Sequence, residues 1–359
     1  MYKNKWTKEI KEYALKTGFD IVGISPPDPV LRIDFYRQWL SDGFAGDMSY
    51  LKRGIEKRGF PEKILSGVLS VISLGISYYQ RDESKLFRDG KIGRYISRYA
   101  WGIDYHNVLT EKMKGIVEFI KSKHGNIKAM IFVDTGPILE REIAQRAGLG
   151  WIGKNTTLIS PSLGSWFFLG EIFLNVELEY DSSMSDRCGR CNKCVDSCPT
   201  GALVAPYKLN SVDCLSYLTI ENKKGIPHNL REAMGTRLFG CDRCQDVCPW
   251  NSKPDISKER QFQPVKSIRE MDIYSLFYLL TEKDFSLNFN MSPIMRTKRS
   301  GLLRNAAVVL GNIADTESVS PIIKGLRDSD PIVRGHSAWA AGRIRDKKVK
   351  KVLSMALSG

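Results

Sequence analysis

The sequence predicts an α+β protein in three parts, and three observations predict it. Strand and helix signals alternate over the first 180 residues, all eight cysteines fall between Cys188 and Cys248, and a helical segment near the end recurs at an offset of 31 residues. At 359 residues the chain exceeds what one hydrophobic core usually organises. The expected units are residues 1–180, 181–255 and 256–359.

Each element has a local reason. Thr7 can cap a first helix whose apolar residues Ile10, Tyr13, Ala14 and Leu15 recur at helical spacing. Phe19 to Ser25 then reads as a strand, and Val68 to Tyr79 as a second. From Tyr105 to Lys123, the side chains of Val108, Leu109, Met113, Ile116, Val117 and Ile120 share one helical face. Lys128 to Val133 is a short apolar strand ending at Asp134, and Pro137 stands where a helix would begin. Trp166 to Leu178 is a further apolar strand, and Asp181 to Asp186 is a polar linker.

The cysteines read CGRCNKCVDSCP, then Cys214, then CDRCQDVCP. That is the ligand arrangement of a ferredoxin-like fold with two [4Fe-4S] clusters, in which the last cysteine of each run serves the other cluster. Cluster one takes Cys188, Cys191, Cys194 and Cys248; cluster two takes Cys214, Cys241, Cys244 and Cys198. Pro199 and Pro249 end each helical turn so that the last sulfur points elsewhere. Zinc sites come as two separated CxxC pairs, and nothing in the chain suggests secretion, which disfavours disulfides.

Near the end, Ala306 to Ile313 (AAVVLGNI) matches Ser337 to Ile344 (SAWAAGRI), with Gly311 over Gly342 and Asp315 over Asp346. The spacing suits HEAT-like helix pairs, although a helical hairpin can carry such a match by coincidence. The chain's formal charge is +14, and the segment from Pro293 onward contributes +8 of it. Arg296, Lys298, Arg299 and Arg304 enter the first repeat. A charge run is usually a solvated face, but joined to a helical repeat and an electron-transfer module it points to a nucleic-acid partner. The N-terminus has neither an apolar leader nor a twin-arginine motif, and no stretch of 18 residues is free of charge and apolar, so a cytoplasmic protein is expected.

The first part carries no GxGxxG after a strand and no GxxxxGK[ST], which removes support for nicotinamide and nucleotide-phosphate chemistry. Asp104-Tyr105-His106 approaches the corrin motif DxHxxG but fails where Leu109 replaces its glycine. With four histidines in all, any corrin is expected to bind without a protein histidine below the cobalt. Asp134 is the carboxylate that stands out: it ends an apolar strand, and positions beyond strand C-termini face clefts. A partly desolvated acid there has a raised pKa and can donate a proton; an N-cap aspartate would look the same. WIGKNTTLIS and GSWFFLGE could wall a pocket or pack a sheet.

Taken together, these segments resemble the epoxyqueuosine reductase family, cobalamin-dependent iron–sulfur enzymes that complete queuosine in tRNA. The resemblance runs over most of the chain. It is carried by EKRGFPEKIL, SRYAWGIDYHNVL, VDTGPILEREIAQRAGLGWIGKNTTLISPSLGSWFFLGEI, CGRCNKCVDSCPTGAL, CLSYLTIE, RLFGCDRCQDVCPWN, LLRNAAVVLGN and IVRGHSAWAAGRI. One departure is Gly59-Phe60-Pro61, where many relatives have an aspartate before the proline.

The resemblance implies a nitroreductase-like α/β cobalamin-binding domain, the double-cluster domain and HEAT-like repeats that hold a tRNA anticodon stem-loop. It implies that Asp134 donates a proton over a base-off cobalamin. The corrin would be lined by Arg58, Ser97, Asn155, Leu158, Leu169 and Ser216, with Asp242 close by. Electrons from flavodoxin or ferredoxin would enter at cluster two and leave from cluster one, while Arg296, Lys298, Arg299 and Arg304 grip phosphates. The implied reaction removes the epoxide oxygen of epoxyqueuosine as water at the tRNA wobble position, in a monomeric enzyme. Two rivals are a corrinoid reductive dehalogenase and a ferredoxin-type carrier fused to an RNA-binding repeat.

Overall fold

A computed structural model describes residues 2–80 and 86–357. Its centre is a four-stranded sheet of β1 (Ile21–Ser25), β2 (Ser70–Ser77), β3 (Ala129–Phe132) and β4 (Phe167–Leu174), in the order β1-β2-β4-β3 with every pairing antiparallel. All of β2 is buried, as is β4 apart from Leu169, because both sheet faces are covered. That coverage explains why these strands read as unbroken apolar runs rather than as alternation.

On one face lie α1 (Tyr2–Lys16) and α2 (Tyr105–His124). Ile10, Ala14, Met113 and Ile116 pack there with Ile72, Phe168 and Ile172. Thr7 lies inside α1 rather than capping it, and its hydroxyl accepts the Glu179 N–H at 2.8 Å. On the other face α3 (Glu140–Arg146) sets Ile143 beside Val71 and Phe173. The helix after Asp134 therefore begins three residues beyond Pro137, with Leu139 at its N-cap position.

The cysteines sit around three short helices, α4 (Lys193–Asp196), α5 (Leu215–Ile220) and α6 (Arg243–Asp246). Beyond them α7 (Lys298–Ile313), α8 (Val319–Gly325), α9 (Pro331–Ile344) and α10 (Lys347–Leu357) form the repeats. The aligned glycines differ in purpose. A Cβ on Gly311 would come within 2.6 Å of the Trp339 ring and 2.9 Å of the Ala340 Cα, so α7 and α9 cross there too closely for a side chain. At Gly342 nothing lies within 4 Å.

The sequential division into parts is not followed by the cores. Phe87, Ile92, Ile96, Ala100 and Trp101 belong to the same cluster as Leu215, Phe239, Leu276 and Leu302. Backbone bonds fix this segment across the chain, from Ile92 N–H to Met271 O at 2.9 Å and from Leu238 N–H to Tyr95 O at 2.7 Å.

Candidate active site

Where β3 ends, the chain turns sharply and Asp134 takes a left-handed conformation, φ +55°. Such a backbone costs of order 1–3 kcal/mol in a residue with a side chain and persists only where its surroundings hold it. Here the Asp134 N–H donates to the Glu140 carboxylate. From behind, Arg58 Nη1 donates to the carbonyls of Gly136 at 3.3 Å and Ile138 at 3.2 Å. Because α3 has no side-chain cap, Asp134 is not a helix N-cap. Its carboxylate projects instead into a cavity of about 310 Å³.

Three consecutive residues at the start of α2 surround that carboxylate. Tyr105 Oη donates to Asp134 Oδ2 at 2.9 Å, and His106 Nε2 lies 3.6 Å from the same oxygen. Asp104 caps α2 by accepting the His106 N–H at 3.0 Å, and its Oδ1 also meets His106 Nδ1 at 2.7 Å. Burial works against a charge on His106, but the two flanking carboxylates outweigh it and push its pKa up to about 9.

Asp134 departs from the raised pKa expected of it. Desolvation does push it upward, but His106 and the Tyr105 hydroxyl pull harder, and the carboxyl ends below its ordinary value. The raised groups lie behind it. Burial, then the Asp134 charge, lifts Glu140 to about 8. Glu171, wholly buried in β4 and facing Ser73 across the sheet, is driven well above the usual range by burial and by Glu140. The sheet being antiparallel, the rule about strand C-termini in parallel sheets does not account for the position of Asp134; the left-handed turn does.

Leu158 and Leu169 line the cavity, together with Tyr99, Phe167, Phe168 and Gln245. Asn155 is buried outside that lining, in the pocket of Cys188, Cys191, Cys194 and Cys248, with Nδ2 3.5 Å from the Cys244 carbonyl. Ser97 donates its N–H to Phe239 O at 2.8 Å and packs against Gly240, where an added Cβ would fall 2.4 Å from the Ser97 hydroxyl. Asp242 accepts the Arg98 N–H at 2.8 Å, and burial raises its pKa. Ser216 follows Cys214 into α5 outside the cavity lining, and Arg58 braces the Asp134 turn rather than the cavity wall. Sequence reasoning passed over Gln245, whose side chain accepts from Ser165 Oγ at 2.9 Å and Tyr78 Oη at 3.4 Å. Its place three residues after Asp242, in the cysteine run, was the available signal.

None of the eight cysteines is in a disulfide. Cys188, Cys191, Cys194 and Cys248 line one pocket with Lys154 and Trp250. Cys214, Cys241 and Cys244 form the other group, with Cys198 close to Cys214. Among the described residues no three such groups converge closely enough for a single metal ion; an iron–sulfur cube spaces its thiolates more widely. The two groups differ in depth. Arg187, Arg190, Asn192 and Lys193 around the first are exposed, whereas Cys214 and Cys241 pack on the large apolar core and Cys244 adjoins the cavity residue Gln245. The expected relay order, with cluster two outermost, is thus opposed by burial.

The basic run divides as well. Arg296 is exposed, pairs with Glu221 and donates to Tyr50 Oη at 3.3 Å; Lys298 is exposed beside it. Arg299 is buried, with its guanidinium on the equally buried Asp328. Arg304 is 1% exposed and donates to the carbonyls of Asn222 at 2.7 Å, Lys224 at 2.6 Å and Leu218 at 2.8 Å. Contrary to the sequence expectation, the guanidinium groups of Arg299 and Arg304 are turned into the protein rather than to its surface. Two lysines that the charge count overlooked do adjoin Arg296: Lys223 Nζ donates to its carbonyl at 2.8 Å, and Lys224 is exposed next in the chain.

Comparison with known proteins matches these regions. A family model described as "Epoxyqueuosine reductase QueG, DUF1730" covers residues 58–135, "4Fe-4S double cluster binding domain" covers 187–251, and "HEAT repeats" covers 294–359. An epoxyqueuosine reductase of Pseudomonas aeruginosa is 40% identical over 341 residues, 94% of each chain. That of Escherichia coli K12 is 35% identical over 99% of this chain and 93% of its own. A crystal structure of epoxyqueuosine reductase with an epoxyqueuosine-modified tRNA-Tyr stem loop superposes with a TM-score of 0.90 at 32% identity, covering 99% of this chain and 94% of that one. A Bacillus subtilis structure with its catalytic loop swung out of the active site gives 0.89, at the same identity and coverage.

Proposed function

This chain belongs to the epoxyqueuosine reductase family, and from that premise we propose how its residues divide the work. The protein is an oxidoreductase of queuosine biosynthesis that reduces epoxyqueuosine to queuosine in tRNA, using two iron–sulfur clusters. The reaction takes two electrons and two protons, releases the epoxide oxygen as water and leaves an alkene.

Cobalamin fits the cavity by the chemistry of its walls. Tyr99, Phe167, Phe168, Leu158 and Leu169 offer a hydrocarbon face to a corrin, while Thr157, Ser165 and Gln245 supply hydrogen-bonding groups for its amide arms. No histidine lines that cavity among the described residues, which suits a base-off corrin without a protein histidine on cobalt. When bound, cobalamin supplies a cobalt reductant strong enough to break a carbon–oxygen bond.

The protein's own part is to deliver a proton to the departing oxygen, and Asp134 is placed for it. The single observation that carries this reading is its carboxylate, 52% exposed, aimed into the cavity from a turn that Arg58 and Glu140 brace. Electrons enter at the surface group of Cys188, Cys191, Cys194 and Cys248, where Arg187, Arg190 and Lys193 attract an acidic carrier such as flavodoxin or ferredoxin. They leave from the buried group beside Gln245. A modified stem-loop is held by Arg296, Lys298, Lys223 and Lys224 near the cavity mouth, and the base swings out of its stack to enter. No helix is long and apolar enough to cross a membrane; action as a monomer in the cytoplasm, where tRNA resides, completes the proposal.

The test is Asp134→Asn, assayed anaerobically by mass spectrometry of the tRNA. Turnover is expected to fall by about 10²–10⁴, the usual contribution of a positioned general acid, while cluster and corrin absorption persist. Wild-type turnover in the variant would remove Asp134 from the proton-donor role.

A further inference from the structure

The motif that failed as a corrin signature has a different geometry from the one it resembles. Asp104, Tyr105 and His106 all converge on Asp134: one holds the imidazole, one donates to the carboxylate, and the imidazole itself stands between two carboxylates. His106 stacks on Tyr105 at 4.2 Å between ring centroids, which fixes the plane of the ring. Its side chain is 28% exposed, but Nε2 is buried and turned toward Asp134, so a proton leaving Nε2 has that carboxylate as its nearest acceptor. A carboxylate that protonates a leaving group once per turnover must be refilled, and the reaction consumes two protons.

We propose that His106 is the proton reservoir of Asp134: oriented through Nδ1 by Asp104, it reprotonates the Asp134 carboxylate through Nε2. The inference rests on Asp134 being the proton donor. As the carbon–oxygen bond breaks, its electron pair goes to oxygen, which takes a proton from Asp134 as that carboxylate takes one from the His106 imidazolium. The neutral imidazole is refilled once product leaves and water re-enters the cavity. Protons and electrons balance against the two of each that the clusters and the medium supply. His106 thus acts through another residue and positions a proton rather than touching the substrate.

The charges facing this pair are Asp104 and Tyr105 on its own helix, Glu140 from the start of α3, Tyr99, and Arg296 from the segment before α7. With Asp104 and Asp134 holding its pKa near 9, His106 carries its proton at neutral pH. It loses it as the pH rises through that value, so the rate should fall on the alkaline side.

The experiment is a single-turnover pH profile of the holoenzyme, with clusters and cobalamin loaded and reduced and the modified stem-loop saturating, for the wild type, Asp104→Asn, His106→Gln and Asp134→Asn. Asparagine still caps a helix nearly as well as aspartate, so Asp104→Asn keeps the structural contact and removes the charge. It should move the alkaline limb to lower pH by about one unit or more. His106→Gln should abolish that limb and slow turnover by about 10²-fold. An alkaline limb unmoved in both variants, with Asp134→Asn inactive, overturns the reservoir and leaves the donor standing. An active Asp134→Asn overturns both.

Discussion

Two constellations of charge in this molecule use the same residue types for opposite ends. Around Asp134 the groups are half open to a cavity, the ion pair with His106 is loose at 3.6 Å, and the backbone is bent into a left-handed turn. Inside the helical part, Arg299 and Asp328 are each under 8% exposed and closely paired, and Arg304 spends its donors on buried carbonyls. The first arrangement leaves a proton free to move. In the second every donor is committed: Arg304 secures the join between α7 and the cysteine region, and Arg299 ties α7 to Leu279 and to the turn before α9. Basic charge in a sequence therefore does not measure affinity for nucleic acid until its direction is known.

Three measurements can break or sharpen that contrast. The largest effect is expected from Arg299→Ala, which strands the buried Asp328 carboxylate; removing one partner of a buried pair costs about 3–5 kcal/mol. Urea unfolding should show it, and a loss below about 1 kcal/mol would mean the pair is no more structural than the one at Asp134. Next, Lys223→Glu and Lys298→Glu should weaken stem-loop binding and lower the slope of log affinity against log salt by about one per phosphate contact. Arg304→Met should leave the slope alone; a reduced slope in that variant would return Arg304 to the interface. The smallest effect belongs to Tyr105→Phe. It deletes one hydrogen bond to Asp134, of order 1 kcal/mol, and should slow turnover about fivefold with no change in melting temperature.

How much was legible in the sequence follows the same division. The double-cluster region was plain because Cys188, Cys191 and Cys194, and again Cys241 and Cys244, lie within a few residues of each other, and the two CP endings supply the crossing ligands. The Asp134 cavity draws on β3, α2, β4, the 155–158 turn and Gln245, so composition and periodicity could not assemble it. The resemblance to a family supplied Asp134, while the argument from strand ends reached it through a sheet topology the protein does not have. Arg304 was misjudged because its charge was counted without its neighbours. It sits in the run LLRNAAVVLGNI, apolar on both sides, and twelve residues of α7 are buried. A lone arginine in such a helix is committed to internal carbonyls. Lys223 and Lys224 escaped notice because they stand apart from the basic tail, brought beside Arg296 by the fold.

The segment from Phe87 to Trp101, early in the chain yet embedded among helices from its far end, bears on how the molecule comes into being. As the polypeptide leaves the ribosome, the sheet can form while Trp101 still lacks the residues that will cover it, since Phe277 and Leu302 are synthesised some two hundred positions later. Ser97, packed against Gly240, is anchored to Phe239 by the same delayed closure. The Asp134 cavity, which Tyr99 lines from this same stretch, thus takes its final form only when the later helices are in place, and a truncated product would leave an apolar surface bare.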